Sequence, residues 1–404
     1  MLIEFKLKNF RSFKEEVSLL MTNVKSFQEH KETNLIHTKK GFDLLKSAAI
    51  YGMNGSGKTN LILAMMEMDR IVHDSFSDSL KKEGDNSYHT NTFRLSTETE
   101  NANTFYEVSF LINDEIYRYG FEINGQIIMK EWLFRKLERE KNLFFRDEKS
   151  FKISKNSFEE GLKYKNEVNS NVLFISHLAQ FNQKISRKIF NWFSNLNIID
   201  GLVDKYDKTI TKRLMEKDGN FKKWSSLVLN FLEITSIEAG ELDGELVTYH
   251  NKYDTNNLLI DSVPFSVTKD ESAGTRKLIY MLGPIYDTLK YGRVLFIDEF
   301  DSKLHTNLSK GLISLLHKFN ENNAQIIFNG QDVNLLDKGL LRRDQIWFVS
   351  KDQFGASELY SLSEFNTKTV RNTSAYDKKY LENKFGAGDL WQLNKKLIEL
   401  LYVE

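Results

Sequence analysis

Cysteine is absent from the 404 residues, proline occurs twice, and the charges cancel, with 56 Lys and Arg against 56 Asp and Glu. Without cysteine there are no disulfides and no thiolate metal sites, and nothing argues for an oxidising compartment. So few prolines leave no Pro-rich linker along the chain. A balanced charge supplies no global field to draw the chain to nucleic acid or anionic lipid, so any such contact must be local. Basic clustering is confined to short pieces such as "QKISRK" and "LKYK". No apolar run approaches the roughly 18 residues that span a bilayer. The opening "MLIEFKLKNFRSF" alternates apolar and polar residues, as a strand does and a secretory leader does not. A cytoplasmic chain with no membrane partner is expected. The 8 histidines show no HxxxH or HExxH spacing, which argues against a protein-ligated transition metal.

Apolar material is plentiful, at 41% of residues with 30 Phe and 16 Tyr, so the chain has the means to build a core. Strands are expected at 2–7 and 16–21 on either side of the turn "NFRSFKE", and at 47–51. Three alternating runs between Thr104 and Phe134, "TFYEVSFLI", "EIYRYGFEI" and "IIMKEWLF", read as a β-meander whose aromatics pack the sheet. Residues 157–235 carry helical patterning, with "HLAQFNQKISRKIFNWFSNL" the best amphipathic piece. After Ile237 strands and helices alternate, which implies a largely parallel sheet with helices on its faces. The expectation is one α/β domain: an N-terminal lobe over 1–156 with an antiparallel β subdomain, a helical insertion over 157–235, and a C-terminal lobe over 236–404.

The stretch "GMNGSGKT", Gly52 to Thr59, matches G-x-x-x-x-G-K-[ST] at every specified position and lies between an apolar strand and a helical pattern. Glycines let backbone N–H groups curl around phosphate oxygens, and the helix N-terminus adds positive partial charge. Asn54, Gly55, Ser56, Gly57, Lys58, Thr59 and Asn60 are the expected phosphate cradle, with Lys58 reaching the β and γ phosphates and Thr59 on Mg²⁺. "RVLFIDEF" buries Val294 to Ile297 and ends in Asp298, suited to the metal side, and Glu299, suited to polarise an attacking water. "ESAGTRKL" opens a further helix with Ser272 and Gly274; taken alone it is either a plain N-cap or a second phosphate surface.

This order of motifs resembles the ABC-type ATPases, in which two protomers face head to tail. The resemblance implies that Ser272 and Gly274 touch the γ-phosphate bound at Lys58 of a second copy, and that Asp301 is the D-loop acid across that interface. "LKNFRSFKEE", "IYGMNGSGKTNL", "YRYGFEI", "ESAGTRKL", "LFIDEFDSKLH" and "IIFNGQDVNLLD" together are similar to the overcoming-lysogenization-defect and abortive-infection branch of anti-phage defence, relatives of RecF and SMC. That implies ATP and Mg²⁺ as cofactors, self-association, and a protein effector such as a nuclease. The chain departs from the ABC pattern at Gln331, where a switch histidine is usual; glutamine can donate a hydrogen bond but does not take up a proton, so slow turnover is expected. The glutamine loop has no clear position, with Gln126 and Gln180 both undistinguished. Arg11, in the turn that lies near the nucleotide in RecF and SMC relatives, is either a site residue or a solvent arginine. His305 is expected to be structural. Two other readings stand beside the switch ATPase: a RecF-like DNA-binding repair ATPase, and a nucleotide-binding scaffold with negligible turnover.

Overall fold

Strands with apolar interiors on both sides can sit only where both faces are covered. Ser47–Tyr51, Val294–Ile297, Gln325–Asn329 and the first four residues of Ile346–Lys351 are fully buried. The computed structural model, which describes residues 1–79, 91–200, 205–240, 245–365 and 375–387, places them in one six-stranded sheet. The end of the expected C-terminal lobe, residues 388–404, lies outside the described residues. The sheet runs Leu196–Ile199, Val294–Ile297, Gln325–Asn329, Ser47–Tyr51, Ile346–Lys351, Ser357–Ser361; all pairs are parallel except the last.

Alternate side chains of these strands belong to two different cores. Ala48, Ile50, Phe296, Ile327 and Val349 pack with the helix Lys58–Asp78 and the N-terminal lobe. Ala49, Tyr51, Leu295, Ile297, Phe328 and Phe348 pack on the other face, with the helices Ala273–Tyr291 and Thr306–Lys318. A period of two thus becomes a sheet sandwiched between helical layers. Inside Ala273–Tyr291, Pro284 removes the N–H that would bond the carbonyl of Tyr280. The Thr211 hydroxyl, from the helix Lys205–Lys217, donates to that carbonyl at 2.7 Å and accepts from the Gly283 N–H at 3.1 Å, which ties the two helices together.

The N-terminal lobe is a seven-stranded antiparallel sheet in the order Ser150–Ile153, Glu140–Asp147, Ile127–Lys136, Glu115–Asn124, Thr104–Ile112, Leu2–Lys8, Val17–Leu20. The expected meander is present and runs two strands further, through "EKNLFFRDEKSFKI", where clustered charge hides the alternation. Tyr106, Tyr117, Tyr119, Phe110 and Phe121 are buried sheet aromatics, as expected. The single amphipathic piece expected from His177 is two helices, Phe174–Gln180 and Lys184–Phe193, separated by Asn182 in left-handed backbone with φ 56°. Residues 157–235 are also not helical throughout, because "LNII" at Leu196–Ile199 becomes the edge strand beside Val294–Ile297. A four-residue apolar run is too short to reveal its period.

Glu131 and Arg146 anchor the first of those helices to the sheet. Both are buried, with Glu131 0% and Arg146 1% exposed, and their charges lie 3.7 Å apart. Glu131 accepts from the backbone N–H of Phe174 at 2.6 Å and of Ile175 at 3.1 Å, and from the Tyr119 hydroxyl at 3.0 Å. Arg146 donates to the carbonyls of Val172 at 2.6 Å and Asn169 at 3.1 Å. Removing one member strands the other in the interior. Glu131→Ala is therefore expected to cost about 3–5 kcal/mol in urea unfolding, part of it recovered by adding Arg146→Met; a loss under about 1 kcal/mol would show that the pair is dispensable.

Candidate nucleotide site

At the carboxyl ends of the parallel strands the loop Met53 to Asn60, Glu299, Asn329 and Gln331 line one cleft of about 270 Å³. The loop starts where Gly52 leaves its strand, with no room for a side chain: a Cβ there would stand 2.2 Å from the Val349 carbonyl oxygen. Gly55 and Gly57 take left-handed backbone, φ 75° and 115°, which glycine adopts without a Cβ penalty. The helix Lys58–Asp78 begins at once, so its free N–H groups and positive end face the cleft. The Lys58 ammonium is held by the carbonyls of Gly52 at 2.7 Å and Met53 at 3.1 Å. Burial pushes its pKa down, against the pull of Asp298, Asp301 and Glu299.

Asp298 follows the last residue of its strand and is 2% exposed. It accepts from the Thr59 hydroxyl at 3.0 Å and from the side-chain amide of Asn329. The same Asn329 accepts from the Glu299 backbone N–H at 2.6 Å. Glu299 takes left-handed backbone, φ 49°, uncommon for a residue with a side chain and a mark of sites where surrounding structure imposes the conformation. Thr59 and Asp298 thus present two hard oxygens side by side, which fits Mg²⁺, an ion that takes one or two protein oxygens and completes its shell with phosphate and water. Among the described residues no three His, Cys, Asp or Glu side chains cluster as a protein-only metal centre would need.

The remaining expected residues fall in different places. Asn60 donates to the Ser12 hydroxyl at 2.7 Å, so the "NFRSF" turn packs on the phosphate loop. Arg11 itself is exposed in left-handed backbone, with its guanidinium 5.8 Å from the Phe10 ring, and does not line the cleft. Asp301 turns inward: its carboxylate accepts from the backbone N–H groups of Gln331, at 2.8 Å, and Asp332, and so shapes the loop that carries Gln331. Ser272 caps the helix Ala273–Tyr291 by accepting from the Thr275 N–H at 3.1 Å. Ser272 and Gly274 line a second, mainly apolar cleft of about 520 Å³ with Phe231, Leu278 and Leu304, which shares no lining residue with the first. His305 caps the helix Thr306–Lys318, its Nδ1 accepting from the Asn307 N–H at 3.2 Å, and lines this second cleft. Gln126 and Gln180 do not line the phosphate cleft.

Sequence reasoning passed over Asn329, Lys277, Ser12 and Ser357. Asn329 was legible in the sequence, since it ends "AQIIFN" much as Asp298 follows its neighbour strand. Ser357 was not: it lies about 300 residues from the loop it supports, donating to the Ser56 carbonyl while its N–H bonds the Ser12 carbonyl at 2.7 Å.

Residues 47–337 match the family described as "AAA domain, putative AbiEii toxin, Type IV TA system". The chain belongs to this family. It is accordingly a P-loop ATPase domain, with the phosphate loop and the Asp298–Glu299 pair both inside the matched span. Among solved structures, it is similar to the SMC head domain from Thermotoga maritima, at 15% identity and TM-score 0.45, over 89% of this chain and 98% of that one. An SmcHead bound to the C-winged helix domain of ScpA is similar at 13% identity and TM-score 0.40, over 91% and 99%. No curated protein matches the chain.

The two left-handed glycines of the loop differ in a way that a substitution reads out. A Cβ on Gly57 would lie 2.5 Å from the Ser357 hydroxyl and 2.6 Å from that of Ser12, whereas one on Gly55 meets nothing within 4 Å. Gly57→Ala should lose most ATP binding and melt earlier than Gly55→Ala, which bears only the backbone penalty of about 1 kcal/mol. Equal melting points and ATP affinities would refute the close packing of the loop against Ser12 and Ser357.

Proposed function

We propose that the chain binds ATP in the cleft at Gly52–Thr59 and hydrolyses it, that two copies close around the nucleotide, and that the resulting assembly state governs a protein effector in bacterial anti-phage defence. The observation that carries the ATPase part is the convergence of Lys58, Thr59, Glu299 and Gln331, up to 273 positions apart in sequence (331 minus 58), on a single cleft, with Asp298 bonded to Thr59 at its edge. Lys58 and the loop amides would hold the β and γ phosphates, and Thr59 with Asp298 would hold Mg²⁺, which neutralises phosphate charge when bound. Glu299, whose backbone N–H is held by Asn329, would accept the proton of an attacking water. Gln331 lines the cleft and can donate a hydrogen bond but cannot relay a proton, which favours slow turnover.

Self-association draws on the ABC-type resemblance and on the placement of Ser272 and Gly274, at the N-terminus of Ala273–Tyr291, in a cleft that shares no lining residue with the chain's own phosphate loop. The defence role draws on the family description, which names a toxin of a toxin-antitoxin system, and on the resemblance to abortive-infection ATPases. A basic DNA-binding face finds little support, since Lys188 of "QKISRK" is bonded to Glu115 at 2.6 Å. No helix among the described residues is long and apolar enough to cross a membrane.

Turnover per chain is expected to rise with chain concentration, with Lys58→Ala, unable to bind ATP, as the blank; turnover independent of concentration would remove the paired-site reading. Glu299→Gln should retain ATP binding and hydrolyse it roughly 10²-fold more slowly; an unchanged rate would exclude Glu299 as the base. Gln331→His should raise turnover if glutamine limits it, and a fall would assign Gln331 a role of its own.

A further inference from the structure

At the amino ends of the strands Leu196–Ile199 and Val294–Ile297, the end of the parallel sheet opposite the phosphate loop, lies a cavity of about 420 Å³. It shares no lining residue with the nucleotide cleft. Three segments build its wall. The helix Lys184–Phe193 puts Lys188, Asn191 and Trp192 on one face by spacings of three and four. Asn113 comes from the tight turn after the strand Thr104–Ile112, in left-handed backbone at φ 48°. Tyr291 and Arg293 flank Gly292, where the helix Ala273–Tyr291 ends and the chain enters Val294–Ile297.

The described residues that line the cavity include two cations and three asparagines but no Asp or Glu. The acids that partner the cations stand outside the lining: Glu115 accepts from Lys188 at 2.6 Å and Asp287 from Arg293 at 2.7 Å. Those bonds fix the two side chains without exhausting them, since a lysine carries three N–H donors and an arginine five. The Nε of Arg293 is buried and has no hydrogen-bond partner among the described residues, an arrangement that costs free energy until an acceptor meets it. Two aromatic rings complete the wall. Trp192 is 7% exposed and held by stacking on Phe110 at 4.2 Å, whereas Tyr291 is 56% exposed, with the Arg293 guanidinium 5.1 Å from its ring.

We propose that this cavity binds a nucleoside monophosphate, at a site separate from that of ATP. Arg293 and Lys188 donate to the phosphate, the asparagine amides, which both donate and accept, meet the hydrogen-bonding edge of the base, and the open ring of Tyr291 gives the base a face to stack on. A bare inorganic anion would use the cations and leave the amides and the ring idle. A nucleoside without phosphate would leave the Arg293 Nε unmet. The volume lies within the roughly 300–1,000 Å³ usual for small-molecule sites.

The test is calorimetric titration of the full-length chain carrying Lys58→Ala, which takes the phosphate loop out of play. The probes are AMP, GMP, CMP and UMP, the four matching nucleosides, and inorganic phosphate. At least one monophosphate should bind, about 10-fold or more tightly than its nucleoside and than phosphate, as the loss of a hydrogen bond to a charged group implies. Asn191→Asp, at an exposed position, sets a carboxylate in the wall and should weaken that binding about 10-fold or more. Arg293→Lys keeps a charge for Asp287 but removes the Nε donor, and should weaken it similarly; Tyr291→Ala should do so through lost stacking. Unchanged melting of the Asn191→Asp protein shows that the effect is on the site and not on the fold. Binding by none of the four monophosphates, inorganic phosphate bound as tightly as any of them, or monophosphate affinity untouched by both Asn191→Asp and Arg293→Lys would each overturn the proposal.

Discussion

A carboxylate taken out of water needs hydrogen-bond partners, and Asp298 is the one on which this site depends. It is satisfied by the Thr59 hydroxyl from the helix after the phosphate loop and by the Asn329 amide from the adjacent strand. Three elements are thereby pinned to one point at the carboxyl edge of the sheet. Asn329 lies between the phosphate-loop strand and the Asp298 strand in the sheet order, so its amide bridges what the topology separates. Asp301, three residues on, locks the neighbouring loop through two backbone N–H groups. The turn 298–303 is therefore where the cleft, the loop that carries Gln331 and the helix from Ser272 meet.

Support for the phosphate loop comes from further away. The strand beneath it, "SAAIY", has two alanines in its middle, so helices approach closely on both faces. Its loop is then clamped from the side by Ser12, at the tip of the antiparallel sheet's first turn, and by Ser357, in the last strand of the parallel sheet. The N–H of Ser357 bonds the carbonyl of Ser12, so the clamp is continuous. The N-terminal lobe accordingly does structural work for the site even though its exposed Arg11 lines no part of the cleft.

Much of this was legible along the chain because backbone rules act locally. A glycine pattern that only a phosphate loop needs, a four-residue apolar run ending in Asp-Glu, and a Ser-x-Gly helix start each follow from a few adjacent residues. So does the period-two patterning that places Thr104 to Phe134 in a meander. Where charge masked alternation, as in "EKNLFFRDEKSFKI", or where a run was as short as "LNII", local pattern failed, because pairing with a neighbouring strand, not propensity, decides such segments.

The amino-acid sequence by itself set out the candidate chemistry: a phosphate-loop motif, an Asp-Glu pair after a buried strand, a Ser-x-Gly helix start, and Gln331 beyond the next strand. It also implied a largely parallel sheet with helices on its faces, since strands apolar on both sides need both faces covered. Only the tertiary structure decided which groups act together. It brought Asn329 to Asp298 and Glu299, turned Asp301 inward, set Ser272 in a different cleft from Lys58, and placed Lys277 on the Glu299 carbonyl. Each of those contacts joins residues 22 or more positions apart across packed elements, and their formation depends on the packing of whole layers, which no local pattern encodes.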